Sequence, residues 1–197
     1  MTNNQQPTTN KKYKVGEIVG RNAPVLREIA ESVPIKDIPS KKIQDILKLM
    51  KKALREEEDG VAIAAPQIGE SLRIFVVSGK VFVLGKEELA KEDEEKIIIP
   101  DDLVFINPEI VKLSRKKIEM EEGCLSARWL YGWVKRSEKA TVRAYNEKGE
   151  RFEMGGSGLM AQIFQHETDH LVGVLFLDKA KDINELPPPS NNNNEKK

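Results

Sequence analysis

Both histidines of this 197-residue chain sit four positions apart, in His166-Glu167-Thr168-Asp169-His170. Side chains at that spacing share one face on an α-helix, so the pair calls for helical backbone. The flanking residues agree. Gly155, Gly156, Ser157 and Gly158 precede the segment, a helix is predicted from Leu159 to Leu171, and Gly173 supplies a terminator. Ile163, Phe164, Leu171 and Val172 surround the imidazoles with apolar bulk, which argues that the helix is packed against a core.

Two imidazoles on one helix face can share a divalent cation, with the carboxylate of Glu167 in reach of a water on that cation. A catalytic site of this type needs about three protein ligands and one open position. The usual third ligands of H-E-x-x-H proteases are missing. Gly173 matches the extended metzincin pattern, but Phe176 stands where its third histidine would be. Further downstream, where another protease type places a glutamate, the chain turns proline- and asparagine-rich. The remaining soft donor is Cys124, in Glu121-Glu122-Gly123-Cys124-Leu125-Ser126. A lone cysteine reads more readily as a small buried residue. Beside a two-histidine site without a third partner, the ligand reading gains weight. A protease-type metallohydrolase and a non-catalytic metal or peptide binder are the rival readings.

The rest of the chain reads as one domain. Residues 1–12 and 185–197 are polar, the latter with a proline and asparagine run, and are expected to be disordered tails around a single catalytic domain at 13–184. One helix is predicted after Pro24, with Val25, Ile29 and Val33 on one face. A second is predicted after Ser40, with Ile43, Ile46, Leu47, Met50 and Leu54 as its stripe and Gly60 at its end. Strands are predicted at 73–77, 80–84 and 117–121, at 103–113 as two pieces broken at Asn107-Pro108, and at 141–145 and 151–154 as a hairpin around Asn146-Glu147-Lys148-Gly149. The acidic stretch Glu87 to Glu95 reads as a charged surface insertion. Helices segregated from strands indicate an α+β fold on mostly antiparallel sheet.

Charge and cysteine usage exclude several classes. Lys plus Arg and Asp plus Glu are 32 each, and no basic stripe stands out, so direct nucleic-acid binding is not expected. No apolar stretch is long enough for a membrane helix. A single cysteine cannot form an intrachain disulfide, and no secretory signal pattern opens the chain, so a cytoplasmic location is expected.

Three segments together resemble the peptide deformylase family. They are Gly60-Val61-Ala62-Ile63-Ala64-Ala65-Pro66-Gln67-Ile68-Gly69, then Glu122-Gly123-Cys124-Leu125-Ser126, then Gln165-His166-Glu167-Thr168-Asp169-His170, in the family's order. Ala23-Pro24-Val25-Leu26-Arg27 is similar to the family's opening helix. The likeness runs roughly from Glu17 to Asp178. It implies an α+β fold with mostly antiparallel sheets packed around a central H-E-x-x-H helix. It implies Cys124, His166 and His170 as metal ligands and Glu167 as general base and acid. Gln67 and the backbone N–H of Leu125 would bind the oxyanion. Gly60, Val61 and Ala62 would pair with the substrate as an added strand, with Gly123, Leu159 and Ile163 as further substrate contacts. Val61, Leu159 and Ile163 are candidates for an apolar methionine pocket. One divalent metal is implied, Fe2+ first, with Zn2+, Ni2+ or Co2+ able to replace it. The implied partners are N-formylmethionyl peptides and nascent chains, with a transient ribosome contact. Glu122, Arg136 and Asp169 could orient the ligand imidazoles or form surface salt bridges.

The chain departs from the family pattern at Ala62, where a glycine is frequent, and at Ala127-Arg128, where an aliphatic residue and proline are frequent. Trp129, Tyr131 and Trp133 are expected to replace other substrate-contacting residues. These departures bear on peptide preference.

Overall fold

The computed structural model describes residues 16–84 and 98–186. The acidic insertion and nearly all of both predicted tails lie outside the described residues. Among the described residues, two helices and eight strands follow in the order α1 (Lys41–Glu56), β1 (Ala62–Ala64), β2 (Ile74–Val77), β3 (Leu103–Leu113), β4 (Lys117–Gly123), β5 (Leu130–Ser137), β6 (Lys139–Tyr145), β7 (Arg151–Ser157), α2 (Leu159–His170) and β8 (Lys181–Glu185). One sheet has the order β1-β2-β3-β6-β7 and the other β4-β5-β8, with every pairing antiparallel. The α+β expectation holds.

The larger sheet is covered on both faces. On one face Ile74, Val76, Val104 and Ile106 pack against Ile43, Leu47, Met50 and Leu54 of α1. On the other, Phe75, Val77, Phe105 and Val142 pack against Ala161, Ile163, Phe164 and Leu171 of α2 and its end. Successive strand residues point to opposite faces, which explains why Ile-Phe-Val-Val of β2 is apolar throughout and fully buried. The rings of Phe75 and Phe105 stack with centroids 4.5 Å apart, and Phe164 of α2 meets Phe105 at 5.5 Å. This aromatic contact seats α2 on the sheet.

Helix α1 starts where its cap predicts, with Ser40 Oγ accepting from Ile43 N. It ends at Glu56, ahead of the expected Gly60. Helix α2 is anchored by its own amides. Gln165 Nε2 donates to Ser137 O while its Oε1 accepts from Ser137 N, and Gln162 Nε2 donates to Glu121 O. These bonds tie α2 to β4 and β5 of the smaller sheet. The helix therefore bridges both sheets, in contact with β1, β2, β3, β6 and β7 of one and β5 of the other. Gly173 ends this region with φ +74°, and a Cβ there would come within 2.7 Å of Arg27 O.

Several expectations need correction. The first predicted helix is only a 3-10 turn, Pro24–Arg27. Glu28 is already extended, Ala30 N donates to Leu171 O, and Pro34 disfavours helix at Val33. Ile29, expected on its buried face, is 75% exposed. The predicted strand at 80–84 is replaced by a 3-10 turn over Gly79–Phe82, started by Ser78 Oγ accepting from Lys80 N. Residues 103–113 form one strand, with a register shift between Ile106 and Glu109 instead of a break. There Asn107 takes φ +50° and holds Val33 through both its amide atoms. Strands β1, β5 and β8 were not foreseen. Strand β8 runs through Glu185, which pairs with Leu130, so the folded part extends past the expected boundary at residue 184. Val172 is 47% exposed, outside the apolar surround expected of it.

Candidate metal centre

Cys124 follows directly on β4 and opens a 3-10 turn, Leu125–Ala127, in which Ala127 N donates to Cys124 O. His166 and His170 project from α2 one turn apart. One donor atom each from Cys124, His166 and His170 lies within 4.8 Å of the others, with Cys124 Sγ 3.3 Å from His170 Nε2. Metal–sulfur and metal–nitrogen bonds of about 2.0–2.3 Å place tetrahedral ligands roughly 3.3–3.8 Å apart, so Cys124 Sγ and His170 Nε2 already stand at ligand spacing, and the three donors form a group able to close on one cation.

The surrounding groups fix the geometry. His166 Nδ1 is 2.9 Å from Glu122 Oε2, which leaves its Nε2 for the site. Glu122 in turn accepts two bonds from Arg136, Nε to Oε1 at 2.7 Å and Nη2 to Oε2 at 2.9 Å. Arg136 Nη1 donates to Asp169 Oδ2 at 2.6 Å, and Lys179 Nζ closes the chain on Asp169. Glu122 and Arg136 are almost fully buried, so theirs is not a surface salt bridge; Glu122 touches the His166 ring, and Arg136 holds Glu122. Asp169 acts one step further out.

Burial opposes charge on Glu122, but Arg136 and His166 outweigh it and hold the carboxyl at about 2. Burial likewise opposes a thiolate at Cys124. The imidazoles of His170 and His166 overcome this and bring the thiol well below its ordinary range. His166 is driven well above its ordinary value against burial, by Cys124 and Glu122. Glu167 is shifted upward, chiefly by burial. Among the described residues, only Glu167 Oε2 and His170 Nδ1 are buried side-chain polar atoms without a hydrogen-bond partner. Orphaned buried atoms mark where a ligand, water or proton completes a site.

Gln67 enters from the turn after β1. Its Oε1 accepts from Ala64 N at 2.8 Å, which orients Nε2 toward Ser126 Oγ at 3.3 Å and Cys124 Sγ at 3.5 Å. A cavity of about 310 Å³ opens over this centre. Gly60, Val61, Ala62, Gly123, Leu159 and Ile163 all line it, as do Gln67, Cys124, Leu125, His166 and Glu167. His170 lies beneath, buried. Gly123 lies against Tyr131, where a Cβ would meet the ring at 2.9 Å. Ala62 is in an ordinary extended strand and has no positive φ, so its methyl brings no backbone strain. Trp129 and Tyr131 line the cavity as expected, whereas Trp133 does not. Sequence reasoning missed Gln162, Ser126 and Asp59. Gln162 lies four residues before His166, on the ligand face of α2, and that spacing was the available signal.

The family profile described as polypeptide deformylase matches residues 15–185. This chain belongs to that family. It is 40% identical over 169 residues to a peptide deformylase of Desulforudis audaxviator, covering 86% of this chain and 96% of the relative. It is 39% identical over 172 residues to the chloroplastic and mitochondrial peptide deformylase 1A of Arabidopsis thaliana, where the match spans 86% of this chain but only 62% of the plant protein. A class I type b peptide deformylase from Acinetobacter baumannii, solved with Met-Ala-Ser bound, superposes with a TM-score of 0.69 at 30% identity, covering 85% of this chain and 99% of that one. The family's enzymes are metal-dependent hydrolases that remove the N-formyl group from nascent polypeptides, and the three-donor cluster is a possible metal site for that chemistry.

Proposed function

We propose that this chain hydrolyses the formyl group from N-formylmethionyl peptides and nascent chains, with Cys124, His166 and His170 holding one divalent metal. The observation that carries the reading is the convergence of those three donors beside a buried carboxylate oxygen without a partner, at the floor of a cavity. Fe2+ is the metal we assign, with Zn2+, Ni2+ or Co2+ as substitutes. When bound, the ion supplies Lewis acidity toward water and the formyl oxygen.

The protein's own groups do the rest. Glu167 takes a proton from the attacking water on Oε2 and returns it to the departing methionine amine. Gln67 Nε2 and the Leu125 N–H donate to the oxyanion that develops on the formyl oxygen. One such aimed donor contributes about 3–4 kcal/mol to the transition state. The bond from Ala64 N to Gln67 Oε1 supports this role, because it presets the amide before substrate arrives. Val61, Leu159 and Ile163 receive the methionine side chain. The backbone of Gly60 to Ala62, at the β1 edge of its sheet, and Gly123 flank the peptide. Products are formate and a free amine. Action in the cytoplasm, with transient ribosome contact, goes with that substrate.

The test is formate release from formyl-Met-Ala-Ser by anaerobically purified protein, with bound metal counted on the same sample. We expect turnover with about one metal per chain. A fully metallated sample that releases no formate would refute the proposal.

A further inference from the structure

The cavity mouth carries a charged group that the chemistry above leaves unused. Arg128 Nη1 donates to Asp59 Oδ1 at 2.9 Å and Oδ2 at 2.7 Å, and Arg128 Nη2 donates to Glu57 Oε2. The guanidinium also lies over the Trp129 ring, 5.7 Å from its centroid. Trp129 takes φ +67°, a left-handed conformation that bulky residues rarely adopt, so the segment needs something to hold it. Among the described residues lining the cavity, Arg128 is the only lysine or arginine.

The bridge joins segments that lead into different sheets, in addition to the contacts of Gln67 with Cys124 and Ser126 deeper in the site. Asp59 leads into Gly60 to Ala62 and β1, at the edge of the five-stranded sheet. Arg128 leads into β5 of the three-stranded sheet, just after the turn that carries Cys124 and Leu125. An isolated surface pair contributes little, but a guanidinium with one nitrogen shared by both oxygens of Asp59, another on Glu57 and an aromatic face behind it is well ordered. With both carboxylates engaged, Arg128 acts on the walls of the mouth.

We propose that Arg128 is a positioning residue for the peptide. Its clamp on Asp59 and Glu57 fixes the spacing between the Gly60–Ala62 wall and the Leu125–Tyr131 wall, and so presets the mouth for residues that follow formylmethionine. This inference rests on the deformylase reading, and the experiment separates the two.

Formate release is measured on metallated protein with N-formylmethionine amide and with formyl-Met-Ala-Ser amide. Arg128→Ala raises KM for the tripeptide roughly three- to tenfold, changes kcat by less than about twofold, and affects the short amide less. The paired change Glu57→Gln with Asp59→Asn gives the same pattern. Added to Arg128→Ala it gives no further loss, because the groups act as one unit. The carboxylate variant reads the same clamp should Arg128→Ala fold poorly. Equal effects on long and short substrates, a fall in kcat of matching size, or additive losses would each overturn the clamp. So would a KM rise seen only with a free C-terminal carboxylate, which would assign the guanidinium to the ligand. Wild-type protein that is metallated yet inert overturns the deformylase reading, and the clamp's role with it.

Discussion

Two buried carboxylates, one touching the His166 ring and one next to it in the chain, have opposite environments. Glu122 is met by the forked guanidinium of Arg136 and by His166, and stays charged. Glu167 has an oxygen with no partner and is pushed toward its neutral form by burial. Such divergence is how a site separates a group that orients from a group that carries protons. Glu167→Ala is expected to keep bound metal while formate release falls about 10²–10⁴-fold. Near-normal turnover in that variant would remove Glu167 as the base. Glu122→Gln keeps the volume and one acceptor for His166 but withdraws the charge. Its metal affinity, read by competition with a chelating indicator, should fall about 10–100-fold. Unchanged affinity would reduce Glu122 to a packing residue. Most of these residues were legible in the sequence, because the two histidines, the lone cysteine and Gln67 sit in motifs whose chemistry is local. The partnership of Glu122 and Arg136 was only half legible. They lie in adjacent strands with Glu122 facing Gly132, a pairing that sequence does not display.

Among the elements, legibility followed burial on one face. Helix α1 has a cap and a single apolar stripe, and both expectations held. Two of the three strands that escaped notice, β1 and β8, lack an alternating signal for physical reasons. Ala62–Ala64 is buried on both sides and only three residues long. Lys181–Glu185 is exposed throughout and holds its place by backbone pairing to β5. The 3-10 turn at Gly79 had an apolar strand-like pattern, yet a Cβ at that position would sit 1.8 Å from Pro100 O, so the chain must turn where the two segments touch. Packing also sets what a substitution costs. Met50 in α1 is fully buried against the face of the sheet remote from α2. Met50→Ala should lower stability by about 2–5 kcal/mol in denaturant titration, through lost transfer energy and the cavity left behind. Catalysis below the unfolding transition should change little, since the site lies across the sheet. A loss below about 1 kcal/mol would mean the helix collapses into the space.

At the scale of the whole molecule, the donor set joins layers that belong to different sheets. Cys124 comes from the end of β4 in the smaller sheet. The histidines come from α2, whose Phe164 is packed on the larger one. A cation held by all three would therefore link both layers through the helix, and it would bind the folded state far better than the unfolded chain. At a free metal concentration of 100 times Kd that linkage contributes about 2.7 kcal/mol. For a domain of 150–250 residues, each 1 kcal/mol moves Tm by about 2–4 °C. Anaerobic calorimetry should thus show one cooperative transition that falls by about 5–11 °C when the metal is chelated. Cys124→Ser should shrink that difference, because a hydroxyl is a poorer donor for these metals than a thiolate. Two separate transitions, only one of them sensitive to metal, would mean the sheets unfold independently and that α2 does not couple them. A single transition indifferent to chelation would mean the cluster does not hold a metal in the folded protein.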